Sequence, residues 1–165
     1  MNVSDPLVVI RPARQDDLVQ VFDIDHEAFS PYGTAETPDI IAKRWEVFPE
    51  GFIVVERDGV ILGYGSSEKW LHQREPSLNE DPSQTHSPLG RIFCITAMAV
   101  RRYSWNQGFG SSILERLICI ARRHECKQVI LETTHAQQFY LHRGFRIIKE
   151  RRQWDATLAV LQLIL

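Results

Sequence analysis

The sequence predicts a single mixed α/β unit, and three observations carry that expectation. Apolar runs with strand character alternate with stretches of helical periodicity along the whole chain. Asp58-Gly59 joins two of the apolar runs and marks a hairpin, because both turn residues accept positive φ. A further strand-like run, Arg91 to Val100, leads through a glycine-containing turn directly into a long amphipathic helix. At 165 residues the chain suits one domain, residues 1–165, long enough to bury one core.

Taken in order, Leu7 to Ile10 reads as a strand ended by Arg11-Pro12. Asp16-Asp17 suit the first turn of a helix, and Leu18, Val21, Phe22, Ala28 and Phe29 follow on one face. Ser30 to Pro38 is a break, and a second helix is expected from about Asp39 to Val47. Phe52–Val55 and Val60–Tyr64 form the hairpin. The polar stretch from Lys69 to Gly90, punctuated by Pro76, Pro82 and Pro88, reads as a long loop, and loops of that length are commonly functional or disordered. After the Arg91–Val100 strand, the helix beginning near Gly110 carries Ile113, Leu114, Leu117, Ile118 and Ala121 on its apolar face. Val129–Leu131 reads as a buried strand, and His135–Arg143 as a short helix closed by Gly144. Phe145–Trp154 and Leu158–Leu165 read as final strands.

Composition excludes several classes. Lys+Arg 19 against Asp+Glu 21 gives a formal charge of −2, so no general attraction to nucleic acid or to a membrane surface is predicted. Cys94, Cys119 and Cys126 are odd in number and form no Cys-x-x-Cys pair, which fits reduced thiols. Met1 to Asp5 is polar, with no signal peptide, and apolar stretches are broken before a membrane-spanning length. The expectation is a soluble, cytoplasmic protein. The six histidines show no metal-ligand spacing, so no metal is predicted.

Gln107-Gly108-Phe109-Gly110 is the most informative segment. A helix N-terminus leaves backbone N–H groups unpaired and carries partial positive charge, so a glycine turn there can hold an anion. An isolated Gly-x-Gly also serves simply as a tight turn. The segment lacks the Gly-x-Gly-x-x-Gly of dinucleotide sites and the Gly-Lys-Ser/Thr of nucleotide triphosphatases.

On these residues the chain resembles the GNAT family of N-acetyltransferases, whose acetyl-CoA motif is Arg/Gln-x-x-Gly-x-Gly/Ala after a strand ending in Ala-Val. Ala136-Gln137-Gln138-Phe139-Tyr140-Leu141-His142-Arg143-Gly144-Phe145 is similar to that family's Ala-x-x-Phe-Tyr-x-x-x-Gly-Phe. Ile10-Arg11-Pro12-Ala13, Asp16-Asp17-Leu18 and the Asp58-Gly59 hairpin resemble its opening elements, so the likeness runs from about Val8 to Trp154. There are two departures. Trp105 stands where Arg or Gln is usual and Asn106 where Gly is common, which predicts weakened rather than abolished cofactor binding. Glu132-Thr133-Thr134-His135-Ala136 is also a shorter bridge into the last helix.

The resemblance implies a mostly antiparallel central sheet splayed after strand four, helices on both faces, and acetyl-CoA as cosubstrate without a metal. It implies cofactor contacts along Met98, Ala99, Val100, Trp105, Asn106, Gln107, Gly108, Phe109, Gly110 and Ser111, with the backbone of Met98 and Val100 pairing the pantetheine arm. Tyr140 would return a proton to the departing thiolate; its plain alternative is a core aromatic beside Phe139. Glu132 and Glu68 are the candidate bases, Glu132 preferred, either acting through water; a solvated strand-end carboxylate is the alternative for Glu132. Glu68 and Asp25 are the candidate substrate contacts. Asp25, on the apolar face of the first helix, reads either as a partner for a substrate ammonium or as a solvated carboxylate at a frayed helix end. Trp70, His72 and Trp105 are candidates for a pocket mouth, and Arg151-Arg152 for a solvated strand face.

The implied activity is direct acetyl transfer to a primary amine, with no acyl-enzyme, on a small-molecule or protein acceptor. A homodimer is left open. The rival is a domain of the same fold that binds CoA without catalysis or serves as a protein-interaction module.

Overall fold

In the computed structural model, which describes residues 7–153 and 156–165, the backbone pairs into one seven-stranded sheet of order β1-β2-β3-β4-β5-β7-β6. The strands are β1 (Val8–Pro12), β2 (Ile53–Arg57), β3 (Val60–Trp70), β4 (Ile92–Val100), β5 (Gln128–Thr133), β6 (Arg146–Gln153) and β7 (Ala156–Ile164). β4 and β5 run parallel and every other neighbouring pair is antiparallel. The helices are α1 (Leu18–Phe29), α2 (Pro38–Val47), α3 (Pro82–Thr85), α4 (Phe109–Arg123) and α5 (Gln137–Leu141). Asp58 and Gly59 take φ of 51° and 78°, the left-handed turn that the hairpin requires. Met1–Asp5 and Trp154 lie outside the described residues.

Strand alternation divides the apolar side chains between two layers. Ile53, Val55, Leu62, Phe93, Ile95 and Leu131 meet Ile113, Leu114 and Leu117 of α4 on one face. Val54, Ile61, Tyr64 and Ala99 meet Leu18, Val21 and Ile24 of α1 and Ile41 of α2 on the other. Each fully buried side chain of this size contributes about 1.5–3 kcal/mol, so both faces are firmly covered. No helix is long and apolar enough to cross a membrane among the described residues.

β3 is longer than the sequence indicates. Its apolar run ends near Tyr64, yet the strand continues to Trp70 through Ser66, Ser67, Glu68 and Lys69, all buried. A bulge at Ser66/Ser67 breaks the alternation, and internal partners replace water. Ser66 Oγ meets Thr96 Oγ1 at 2.7 Å, Ser67 donates to the Gly51 carbonyl at 2.8 Å, and Lys69 Nζ donates to the Pro88 carbonyl at 2.8 Å. Trp70 belongs to this buried run and not to a pocket mouth: it is 2% exposed and donates its indole N–H to Glu68 at 2.8 Å.

The segment between β3 and β4 is pinned at several points. The Arg74 guanidinium lies 4.0 Å over the Trp70 ring and pairs with Glu80, while Glu75 pairs with Lys149 and Arg151 of β6. Asn79 donates its N–H to Glu36 and accepts the Thr37 N–H at 3.0 Å, just before α2. The segment thus ties α2 to the β6 edge. On its return, Gly90 lies so close to β3 that a Cβ there would stand 2.6 Å from the Trp70 nitrogen and 2.7 Å from Lys69 carbon, both backbone atoms. Gly90→Ala is expected to destabilise the fold by about 1–3 kcal/mol through overpacking. Urea unfolding should show a lower midpoint at unchanged slope; an unchanged midpoint would contradict this packing.

Candidate active site

β4 and β5 pair only from Ile92↔Gln128 to Cys94↔Ile130, after which the strands part. The Arg101 N–H donates to the Leu62 carbonyl at 2.7 Å. By the two-residue alternation of an antiparallel ladder, Ala99 therefore turns its backbone groups to β3, and Met98 and Val100 turn theirs into the splay. The opening is consequently edged by strand backbone with no strand beside it.

The turn after β4 aims the α4 N-terminus at the same opening. Asn106 and Gly108 take φ of 63° and 83°, and the first intrahelical bond runs from the Ser112 N–H to the Gly108 carbonyl at 3.1 Å. The N–H groups of Phe109, Gly110 and Ser111 therefore have no acceptor within the helix. A Cβ on Gly110 would meet only Phe139, at 3.6 Å, so the approach to these amides is clear. Arg143 donates to Ser111 Oγ at 2.6 Å and to the Phe139 carbonyl at 2.7 Å, with its guanidinium 3.7 Å over the Phe139 ring. A cation beside a helix N-terminus is unfavourable by itself, so the arrangement suits an anion.

These features line one cavity of about 480 Å³. Its wall includes Met98, Ala99, Val100, Trp105, Asn106, Gly108, Phe109, Gly110 and Ser111, together with Arg102, Arg143 and Tyr140. Tyr140 is 6% exposed, packs edge-on against Phe139 and Phe145, and burial raises its phenol well above the usual value. The phenol is therefore a neutral donor at neutral pH. Across the opening, Tyr32 stacks on His135 with ring centroids 4.2 Å apart and planes 4° apart. Burial holds the His135 imidazole below its usual value, hence neutral.

The model of the Acetyltransferase (GNAT) family matches residues 18–145. The chain belongs to this family. An uncharacterized N-acetyltransferase from Methanocaldococcus jannaschii is 28% identical over 150 residues, covering 84% of this chain and 78% of that protein. Among solved structures, the loading GNATL domain of CurA from Lyngbya majuscula superposes with a TM-score of 0.84 at 14% identity, over 96% of this chain and 98% of that one. The putative acetyltransferase yncA from Salmonella typhimurium, solved with acetyl-CoA, gives 0.71 at 20% identity, over 95% and 93% of the two chains. The GNAT fold expected from the sequence is thus the observed one.

Within this GNAT domain, the strand end, the glycine turn and Tyr140 come together as the sequence indicates, apart from Gln107. Its side chain accepts from Arg57 at 3.5 Å and is not part of the cavity wall. Trp105 does line the cavity, and its indole N–H caps the Val100 carbonyl at 2.9 Å. The carboxylates lie elsewhere. Glu68, read as a base or substrate contact, is 1% exposed and surrounded by donors from Arg44, Trp70 and Thr85. Glu132 accepts from Arg151 at 3.0 Å and lies outside the cavity wall, so neither it nor Arg151 is simply a solvated charge.

Asp25 is not at a frayed end in water: it is 1% exposed, accepting the Tyr64 hydroxyl at 2.6 Å and the Glu36 N–H at 3.0 Å. Burial under α1 explains the difference, since Tyr64 supplies a hidden partner from β3. Sequence reasoning missed Glu27, Arg102 and Arg143 in the cavity wall. Arg143 carried a usable signal, standing four residues after Phe139 on the same helical face.

Burial pushes the Asp25 carboxyl up to about 6 from 3.8, against the bonds from Tyr64 and Glu36. A carboxyl raised in the folded state stabilises below its unfolded value, and that contribution is lost as pH rises through about 6. Asp25→Asn removes the dependence. Relative to the parent, the variant should gain about 2–3 kcal/mol between pH 4 and pH 7 by chemical denaturation. A difference constant across that range would show that Asp25 keeps an ordinary carboxyl.

Proposed function

We propose that the protein transfers an acetyl group from acetyl-CoA directly to a primary amine. One observation carries the reading: unpaired strand backbone, an amide-rich helix N-terminus and a buried phenol share a single cavity. When bound, acetyl-CoA supplies an activated thioester carbonyl. Met98 offers its backbone N–H and C=O to a pantetheine amide as a neighbouring strand would, and Val100 its N–H, its carbonyl being held by Trp105. The Phe109, Gly110 and Ser111 amides with Arg102 and Arg143 hold a diphosphate; that the yncA structure was solved with acetyl-CoA supports a CoA-type cosubstrate.

Tyr140 gives its proton to the departing sulfur. Glu132 remains available to the amine only through water, because Arg151 already holds it. Acceptors of this reading are small amines or amino groups of proteins.

A second reading has one observation behind it. The Trp105 indole already occupies the Val100 carbonyl that the pantetheine arm needs, which favours a domain that binds CoA weakly or without turnover.

Tyr140→Phe separates the two. The expected result is a fall in kcat of about a hundredfold or more, with acetyl-CoA affinity by calorimetry within about twofold of the parent. Unchanged turnover would make Tyr140 a packing residue. A parent that binds acetyl-CoA and acetylates no amine would favour the second reading.

A further inference from the structure

The cavity wall carries groups of both signs. The α4 N-terminus contributes Gly108 to Ser111, with Arg143 bonded to Ser111 and Arg102 also in the wall. Glu27, Ala28 and Phe29 line it as well, from the last turn of α1, a helix of 12 residues whose C-terminal pole carries partial negative charge. Glu27 is the only carboxylate among the residues lining the cavity. The side chain is 37% exposed, but its Oε2 is buried without a hydrogen-bond partner, and Arg101 Nη1 stands 3.9 Å away, beyond hydrogen-bond reach. A buried carboxylate oxygen without a donor is costly, and it is relieved by a ligand that donates. The other polar or chargeable side chains of this wall, Arg102, Arg143, His135 and Tyr140 among them, include no further acid.

Resting on the acetyltransferase reading above, we infer that Glu27 is the acceptor-side catalytic residue, binding a cationic alkylamine and taking its proton. The protonated amine donates to Oε2 and passes one proton to Glu27, which releases it to solvent after turnover. The freed nitrogen lone pair forms the C–N bond to the acetyl carbon as the C–S bond breaks. Tyr140 protonates the sulfur, and the second proton lost by nitrogen restores the phenol. Overall, ammonium and thioester become amide, thiol and one released proton. The role falls to Glu27 because it alone of the four lines the cavity: Glu68 and Asp25 are bonded to protein donors elsewhere, and Glu132, whose Oε2 is also without a partner, lies outside the wall with its Oε1 held by Arg151.

Phenethylamine, protonated at neutral pH, and aniline, neutral there, make the test. Glu27→Gln is expected to lower kcat/KM for phenethylamine about a hundredfold and for aniline less than about tenfold, with calorimetric affinity for acetyl-CoA unchanged. Arg101→Met, which breaks the ion pair but keeps the carboxylate, should retain at least about a tenth of the parent rate; that loss is small beside what removal of a base produces. Equal losses for both amines, or a Glu27→Gln variant as active as the parent, would overturn the inference. So would a parent that binds acetyl-CoA but acetylates neither amine, since Glu27 would then serve no ammonium. A parent that does not bind acetyl-CoA would instead remove the acetyltransferase reading on which the inference rests.

Discussion

Backbone N–H and C=O groups must be paired or wet, and β4 meets that requirement differently at its two ends. From Ile92 to Cys94 it has β5 beside it; around Met98 and Val100 it does not. Leaving such groups enclosed and unpaired costs about 1–3 kcal/mol each, so the open edge has to face a cavity or a surrogate partner. The Trp105 indole is such a surrogate for the Val100 carbonyl. The same parting of strands makes room for α5, whose Tyr140 and Phe139 pack back toward α4. One unmet strand edge therefore fixes where the helix pole, the phenol and the two cavity arginines converge.

The opposite face of the sheet is held by charge. Arg44 is 4% exposed and pairs with Glu36 and Glu68, and Glu36 in turn binds Asn79 of the long connection. Removing one member of a buried pair typically costs about 3–5 kcal/mol, because the other is left uncompensated. This network, with the Glu75 pairs to β6, explains why so polar a segment follows a fixed path. Asp25 and Glu68 lie outside the cavity wall, their oxygens committed to neighbours in the fold. Glu27, in the last turn of α1, escapes that commitment.

Local signals in the sequence were enough for most of the architecture. Asp58-Gly59 set the hairpin, Gly108 and Gly110 set the helix entry, and the Phe139–Phe145 motif set α5 and the strand after it. What was hidden depended on distant partners. The strand reads as ending at Tyr64 and the loop as beginning near Lys69, because hydrophilicity marks exposure until Thr96, Gly51, Arg44 and Pro88 are known to be near Ser66, Ser67, Glu68 and Lys69. Asp25 was ambiguous for the same reason, since Tyr64 lies 39 residues away. Glu27 looked like any surface glutamate on a helix, and only the cavity gives it a setting.

The central claim is that the open end of β4 and the α4 N-terminus together form a CoA site. Thermal unfolding with and without excess acetyl-CoA tests it most directly. At about a hundred times the dissociation constant, binding adds about 2.7 kcal/mol. For a domain of this size that raises the midpoint by roughly 5–10 °C. A rise of that order is the predicted result; an unchanged midpoint at saturating acetyl-CoA would contradict the account of the splay, leaving the fold without its ligand.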